Sequence, residues 1–362
     1  MIALDATPWA EQPRRGAGRA VDGWLDGLGK LSDAPPVVLF APMPFPCGIT
    51  FHHGASVTGP ADDLAFAPTR GFRRALSRLL DRFPATVFLS PWSAFPRTHL
   101  PVVVTVHELP FVRHGPIEGR WRARKHRWWL ARDVARAAAI VVPSTATRDD
   151  LLALHPEAAP RVHVVPHGFD PARYERARAA TASAPATPGR AYGVIVGATT
   201  KRKGLATWLE ARRATADLPL DWVLVGEPER GLRRAVRRYS GVRVEPALQD
   251  DALEALLAGA HLLVYPSLSE GFGFPPLEAM AAGIPVIATT AGSIPEVTGD
   301  AALLVPPADV AALATATRRV ATDAALRADL VTRGTVRARA FPTPACARAL
   351  LDVLRSVEGR RP

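Results

Sequence analysis

The sequence predicts an α/β protein built from two doubly wound, parallel-sheet domains in tandem. Three observations carry this. The chain has 362 residues, more than one ordinary domain of roughly 100–200 residues holds. Short apolar runs alternate with helical patterns twice along it. Between the two alternations lies Ala179–Arg190, AATASAPATPGR, a small-residue stretch with prolines and no periodicity that reads as a linker.

In the first half, Met1–Leu4, Pro36–Phe40, Ala85–Leu89, Val102–Val106, Ala139–Val142 and Val162–Val165 are short apolar runs. Each ends at or near Pro, Ser, His or Asp, as strands buried on both faces do. Helical patterns occupy Gly71–Arg82 and Arg120–Ala138. In the second half, strands are expected at Gly193–Val196, Trp222–Val225, Val242–Glu245, Leu262–Tyr265, Val286–Thr289 and Ala302–Val305. Helices are expected at Gly204–Arg213, Asp251–Leu257, Pro276–Ala282, Val310–Arg333 and Thr343–Val357. The domain boundaries that follow are 1–178, a linker 179–190, 191–340, and a C-terminal helix in 341–362 that packs back toward the first domain.

Composition narrows the function classes. An apolar fraction of 48% with 22% charged residues belongs to a chain that buries cores. No run approaches the roughly 20 apolar residues of a membrane span. The opening MIALDATPWAEQ lacks the charged and long apolar regions of a secretory leader, which points to the cytoplasm. Cys47 and Cys346 form no ligand-spaced pair, against a disulfide framework or structural zinc. The net charge of +11 favours phosphate-bearing partners, although an Arg- and Ala-rich composition produces the same excess.

The most informative stretch is Tyr265–Val286, YPSLSEGFGFPPLEAMAAGIPV. A buried strand runs into a Gly- and Pro-rich loop, and the loop into a helix that Pro275 or Pro276 can begin. Gly271 and Gly273 let the backbone approach a ligand closely. The helix N-terminus presents amides and partial positive charge suited to a diphosphate. Glu270 and Glu278 bracket the loop, and a carboxylate accepts well from vicinal sugar hydroxyls. Upstream, Gly197 opens a polar loop carrying Lys201, Arg202 and Lys203 before Gly204, three cations that suit a diphosphate.

The spacing Glu270-x7-Glu278, with Ser267 before it and Gly292-Ser-Ile-Pro-Glu296 and Gly299–Pro307 after it, resembles the signature of the retaining glycosyltransferases of family 4. That resemblance implies the GT-B fold, two Rossmann-like doubly wound domains facing across a cleft. It extends to the loop Gly197–Gly204, where Ala198 follows the glycine, so that Arg202 and Lys203 carry the phosphate role. Ala3–Ala6 and Arg14–Arg19 resemble the family's first strand and glycine loop, placing Gly16 and Gly18 near donor phosphate and acceptor. Val102–Leu109 resembles the strand ending in a His-Asp pair, with Glu108 in place of the aspartate; this puts His107 against the transferred sugar. Val142–Arg148 and Val164–Asp170 fit two further segments, the second with His167 where the family usually has Asn. A histidine there is read as structural.

The chemistry implied is transfer of a hexose, of mannose or glucose type, from a UDP- or GDP-sugar. The acceptor is a hydroxyl of a glycan, glycolipid or lipid-linked saccharide in cell-surface polysaccharide or glycoconjugate synthesis. Catalytic roles are expected for His107, Glu270, Arg202 and Lys203. Donor binding is expected from Gly16, Gly18, Gly197, Arg202, Lys203, Gly271, Phe272, Gly273, Phe274, Leu277 and Glu278. Glu278 takes the ribose; Glu270 and the amides of 271–274 take the hexose. No Asp-x-Asp occurs, so no metal and no cofactor is expected, and cations with helix amides stand in for the metal.

Arg120–Arg132, RWRARKHRWWLAR, interleaves cations with Trp121, Trp128 and Trp129. Two readings stay open: a domain helix that buries its aromatics, or an interfacial helix giving peripheral contact with the anionic inner face of the cell membrane. A sugar-nucleotide epimerase of the same architecture is the alternative enzyme. A basic nucleic-acid-binding protein is the more distant one, because no nucleic-acid motif is present and Glu270 and Glu278 would go unexplained.

Overall fold

The computed structural model describes residues 1–8, 16–41, 55–57, 76–78, 80, 83–92, 95–113, 119–183, 191–197, 200–246 and 248–359. The chain forms two compact units, Met1–Val112 with Glu118–Gly168 and Phe341–Pro362, and Arg113–Ile117 with Phe169–Ala340.

The first unit holds a seven-stranded sheet: β1 (Ile2–Asp5), β2 (Val37–Phe40), β3 (Ala55–Val57), β4 (Val87–Ser90), β5 (Val102–Thr105), β6 (Ala139–Val142) and β7 (Val162–Val164). The spatial order is β3-β2-β1-β4-β5-β6-β7, and every pairing is parallel. Because successive side chains point to opposite faces, each central strand must feed two cores. Val102 and Val104 of β5 enter one apolar cluster and Val103 the other. That explains why these strands read as unbroken apolar runs and not as alternating ones.

One core is closed by two helices of the same unit. Gly16–Gly29 presents Val21, Trp24 and Leu28, and the C-terminal helix Thr343–Val357 presents Leu350, Leu351, Leu354 and Val357. The two helices approach closely at Gly27, where a Cβ would stand 2.4 Å from the Thr343 carbonyl oxygen. Polar contacts fix the register: Thr343 Oγ1 donates to Asp26 (2.7 Å), and Arg348 and Arg355 donate to Asp33 (2.7 and 2.9 Å). Those two guanidiniums hold the Asp33 carboxyl well below the usual carboxylate range.

The second unit holds β8 (Tyr192–Val196), β9 (Asp221–Val225), β10 (Val242–Glu245), β11 (Leu262–Tyr265), β12 (Val286–Thr289) and β13 (Ala302–Val305). Their order is β10-β9-β8-β11-β12-β13, again all parallel. The chain builds outward from β8 in one direction, then returns and builds outward from β11 in the other. The loops after β8 and β11 therefore lie at the reversal of strand order, which is where doubly wound sheets bind ligands.

Several elements differ from the sequence reading. Gly16 and Gly18, expected in a glycine loop, lie in the first turn of a helix; Ala20, Val21, Trp24 and Leu28 give it an apolar face at helical spacing. The run expected as one helix over Val310–Arg333 is two, Val310–Thr322 and Ala324–Arg337. Asp323 separates them, its extended backbone ending the first while its side chain accepts from Leu326 N (2.9 Å) to cap the second. A helix at Ala172–Ser183 occupies the start of the stretch read as linker, and 184–190 lie outside the described residues. Of the helix expected at Gly71–Arg82, residues 76–78 and 80 are helical and the others lie outside the described residues.

Gly27→Val is expected to lower unfolding stability by about 1–3 kcal/mol, because added atoms must push two packed helices apart. Gly16→Ala on the same helix, where a Cβ meets nothing within 4 Å, is expected to leave the urea midpoint unchanged or raise it. Equal midpoints for both variants would contradict the close packing at Gly27.

Candidate functional site

In the second unit, the strand ends at the reversal of strand order gather the charged residues that the sequence singled out. After β8, Gly197 turns the chain with φ of +78°, and Lys201–Lys203 form a 3-10 turn that ends at Gly204. Gly204 has φ of +68° and lies so close to the next loop that a Cβ would sit 1.7 Å from the Pro266 carbonyl oxygen. Only glycine allows both the left-handed backbone and that approach. The two loops are then stitched together: Leu268 N donates to Arg202 O (2.8 Å), and Arg202 Nη1 donates to Ser269 O (2.7 Å).

Glu270 is the centre of this cluster. Lys203 Nζ donates to its Oε1 at 2.6 Å, Ser267 Oγ donates to the same oxygen at 2.5 Å, and Arg202 Nη1 lies 3.8 Å from Oε2. Lys203 also reaches the Tyr265 hydroxyl at 3.3 Å. Burial alone would raise the Glu270 carboxyl; the charges of Lys203 and Arg202, with the hydrogen bonds from Lys203 and Ser267, outweigh it and hold the group ionised below its ordinary value. A third loop, after β12, supports the backbone. Thr289 Oγ1 donates to Ser267 O, and Ser293 Oγ donates to the carbonyls of Glu270 (3.1 Å) and Phe272 (2.9 Å).

The helix after this loop begins at Phe274, with Gly273 before it at φ of +102°. It therefore starts earlier than the prolines alone indicate, and Glu278 is its fifth residue. Helical side chains tilt toward the N-terminus, so the Glu278 carboxylate leans back toward the opening turn. Both glutamates are buried, Glu270 at 9% exposure and Glu278 at 0%; neither is a solvated surface acid. Phe272 and Phe274 pack edge to face at 5.2 Å, and with Leu277 they are buried as well. The pairing of Lys203 with Glu270 is new relative to the sequence reading, which gave phosphate to one and sugar to the other. Tyr265, Ser267, Thr289 and Ser293 were not given roles there. The signal for Ser267 is its place three residues before Glu270.

Gly16, Gly18 and His107 belong to the first unit. Gly16 is exposed and Gly18 buried on the opening turn of their helix. His107 follows β5. Its Nε2 lies 2.7 Å from Pro91 O after β4, and its Nδ1 lies 3.1 Å from Nε2 of His167 after β7. Trp24 stacks on His107 with ring centroids 6.4 Å apart and meets the edge of His167 at 6.1 Å. Burial pushes the His107 imidazole down to about 4, against the opposing effect of its bond to Pro91 O. Burial, with His107 beside it, also holds His167 well below its ordinary value. Both rings are neutral near pH 7. The sequence reading treated His167 as structural by its solitude in the sequence; the fold brings it against His107.

Residues 16–173 match Glycosyltransferase Family 4, and residues 190–323 match Glycosyl transferases group 1. A mannosyltransferase of Mycolicibacterium hassiacum, the MMP alpha-(1->4)-mannosyltransferase, is 32% identical over 232 residues, 58% of this chain and 54% of that protein. The chain thus spans about half the length of this curated relative. Among solved structures, sucrose-phosphate synthase from Thermosynechococcus elongatus superposes with a TM-score of 0.75 at 22% identity, covering 98% of each chain. Anabaena Alr3699/HepE in complex with UDP-glucose superposes with a TM-score of 0.69 at 17% identity, covering 98% of this chain and 99% of that one. These likenesses give the fold, the paired Rossmann-like units of GT-B. With two matches that together cover well over half of its residues, the chain belongs to the group 1 glycosyltransferases of family 4.

Proposed function

We propose that this chain is a retaining, metal-independent hexosyltransferase that takes its sugar from a nucleotide diphosphate donor. The observation that carries the reading is the Lys203–Glu270–Arg202 cluster at the strand-order reversal of the second unit, directly before a helix that carries Glu278. A diphosphate entering there competes with Glu270 for Lys203. As the cation turns to phosphate, the carboxylate is left to accept from the hexose hydroxyls. Arg202 and Lys203, with the N-terminal dipole of the Phe274–Ala281 helix and the Phe274 amide (Pro275 and Pro276 carry no N–H), then stabilise the charge that develops on the leaving diphosphate. Glu278 accepts from the ribose hydroxyls. The anomeric C–O bond to phosphate breaks while the bond to the acceptor oxygen forms on the same face, and the acceptor proton passes to the departing phosphate oxygen. His107 serves the transferred sugar through its N–H.

The UDP-glucose complex of the Anabaena neighbour supports a UDP-sugar, and the mannosyltransferase relative supports a mannosyl donor and a saccharide acceptor. An acceptor at a lipid surface is supported by the helix Arg120–Arg136. It buries Leu130 and Val134, yet leaves Trp121 84% and Trp128 60% exposed among arginines. Trp121 and Trp128 are two helical turns apart and share a face with Arg124 and Lys125, an arrangement suited to an anionic leaflet. Among the described residues, no helix is long and apolar enough to cross a membrane.

A thermal-shift panel of UDP and GDP should show one that raises Tm, since a ligand at about 100 times its Kd adds about 2.7 kcal/mol to the native state. Glu278→Ala should abolish that shift, and undiminished affinity would overturn the ribose assignment. Arg202→Ala with Lys203→Ala should lower turnover at least about tenfold, whereas chelator should leave the unmodified protein's turnover unchanged; a loss restored by manganese would overturn metal independence. Finally, the chain should sediment with vesicles containing anionic lipid and not with neutral ones, and Trp121→Ala with Trp128→Ala should weaken that binding. Equal sedimentation of the double variant would remove the membrane contact.

A further inference from the structure

The histidine pair of the first unit, half-buried His107 beside buried His167, has a determinate proton arrangement. A carbonyl oxygen can only accept, so His107 Nε2, 2.7 Å from Pro91 O, carries a hydrogen. A neutral imidazole has one N–H, which leaves His107 Nδ1 as a bare lone pair. Nε2 of His167 stands 3.1 Å from that lone pair, so it is the donor. The charged alternative, with both His107 nitrogens protonated, is opposed by the burial that keeps this imidazole neutral. Trp24, itself 1% exposed, lies nearly parallel to the His107 ring and against the edge of His167, which restricts rotation of both.

We infer that His167 is a positioning residue: its Nε2–H fixes His107 as the Nε2–H tautomer and aims that hydrogen at the strand end. The consequence rests on the reading above, in which His107 serves the transferred sugar. With Nδ1 engaged by His167, His107 can offer substrate only a hydrogen-bond donor, exchanged from Pro91 O to a sugar oxygen. It is therefore not the base that takes the acceptor proton. A side chain at 167 without a donor frees the imidazole to adopt the other tautomer or to turn its ring. Asparagine keeps an N–H in reach and should preserve the arrangement.

The test uses the full chain labelled with 15N-histidine, read by long-range 1H–15N correlation at pH 7. Signals of His107 are identified by their loss in His107→Gln, and those of His167 by their loss in His167→Asn. The expected spectrum shows His107 protonated at Nε2 with Nδ1 as a hydrogen-bonded acceptor. His167→Phe should convert His107 to a mixture of tautomers and lower kcat by about tenfold, with the donor KM moving much less; His167→Asn should restore both spectrum and kcat. Protonation of His107 at Nδ1 in the unmodified chain would overturn the inference, as would His107 signals unchanged in His167→Phe. Should His167→Phe fail to fold, the unmodified and His167→Asn spectra decide it in the same way. If the spectra behave as expected but His107→Gln keeps full transfer, the positioning stands and the assignment of His107 to the reacting centre falls.

Discussion

The second unit's site depends on one buried charge arrangement, a carboxylate that is held ionised inside the protein. An isolated Glu270 at that depth would shed its charge or cost several kcal/mol. Lys203 and Arg202 prevent this from one loop, Ser267 from the other, and the same loops exchange backbone bonds at Leu268 and Ser269. Removing any of these would leave a buried charge or a buried polar group in deficit. The charges that chemistry would use are therefore also the ones that hold the loops in register. A ligand that competes for Lys203 meets a site already shaped for it, and the desolvation has been met during folding.

That arrangement is possible because the sheet beneath it is parallel and buried on both faces. All side chains of β11 and β12 are buried, so the strand ends cannot slide without exposing apolar surface. Order reversal at β8 and β11 then sets their loops side by side. Gly204 sets how near those loops come, and Ser293 and Thr289 buttress the far side from the loop after β12. The first unit repeats the design with different contents. There the ends of β5 and β7 bring together a neutral pair of imidazoles beside an indole, where the ends of β8 and β11 bring together ions. Neutral rings with fixed tautomers direct hydrogens; a Lys–Glu–Arg cluster directs charge. The same topology thus carries a neutral ring pair in one unit and a charged cluster in the other.

Burial decides the character of each candidate group. Glu278, read in the sequence as a ligand-facing acid, is fully enclosed. The tryptophans of Arg120–Arg136 go the other way. Of the two readings open for this helix, the exposure of Trp121 and Trp128 departs from the one that buries the aromatics, while Leu130 and Val134 pack into the core. The inward face of the helix carries Leu130 and Val134, with Asp133 buried beside them.

The sequence by itself determined the two alternations, most strands to within two residues, and the Glu270-x7-Glu278 loop with its basic neighbour. Those are local matters: unbroken apolar runs mark buried strands, and glycines, prolines and charges punctuate their ends. It did not show β3, the helical state of Gly16 and Gly18, or the break at Asp323, because a three-residue edge strand and single caps carry weak local signals. Only the tertiary structure decided which residues meet. Lys203 and Glu270 are 67 positions apart and His107 and His167 are 60 apart; no local pattern encodes their separation in space. Crossover topology brings those loops together, and burial then forces each polar group to find the partner that the fold provides.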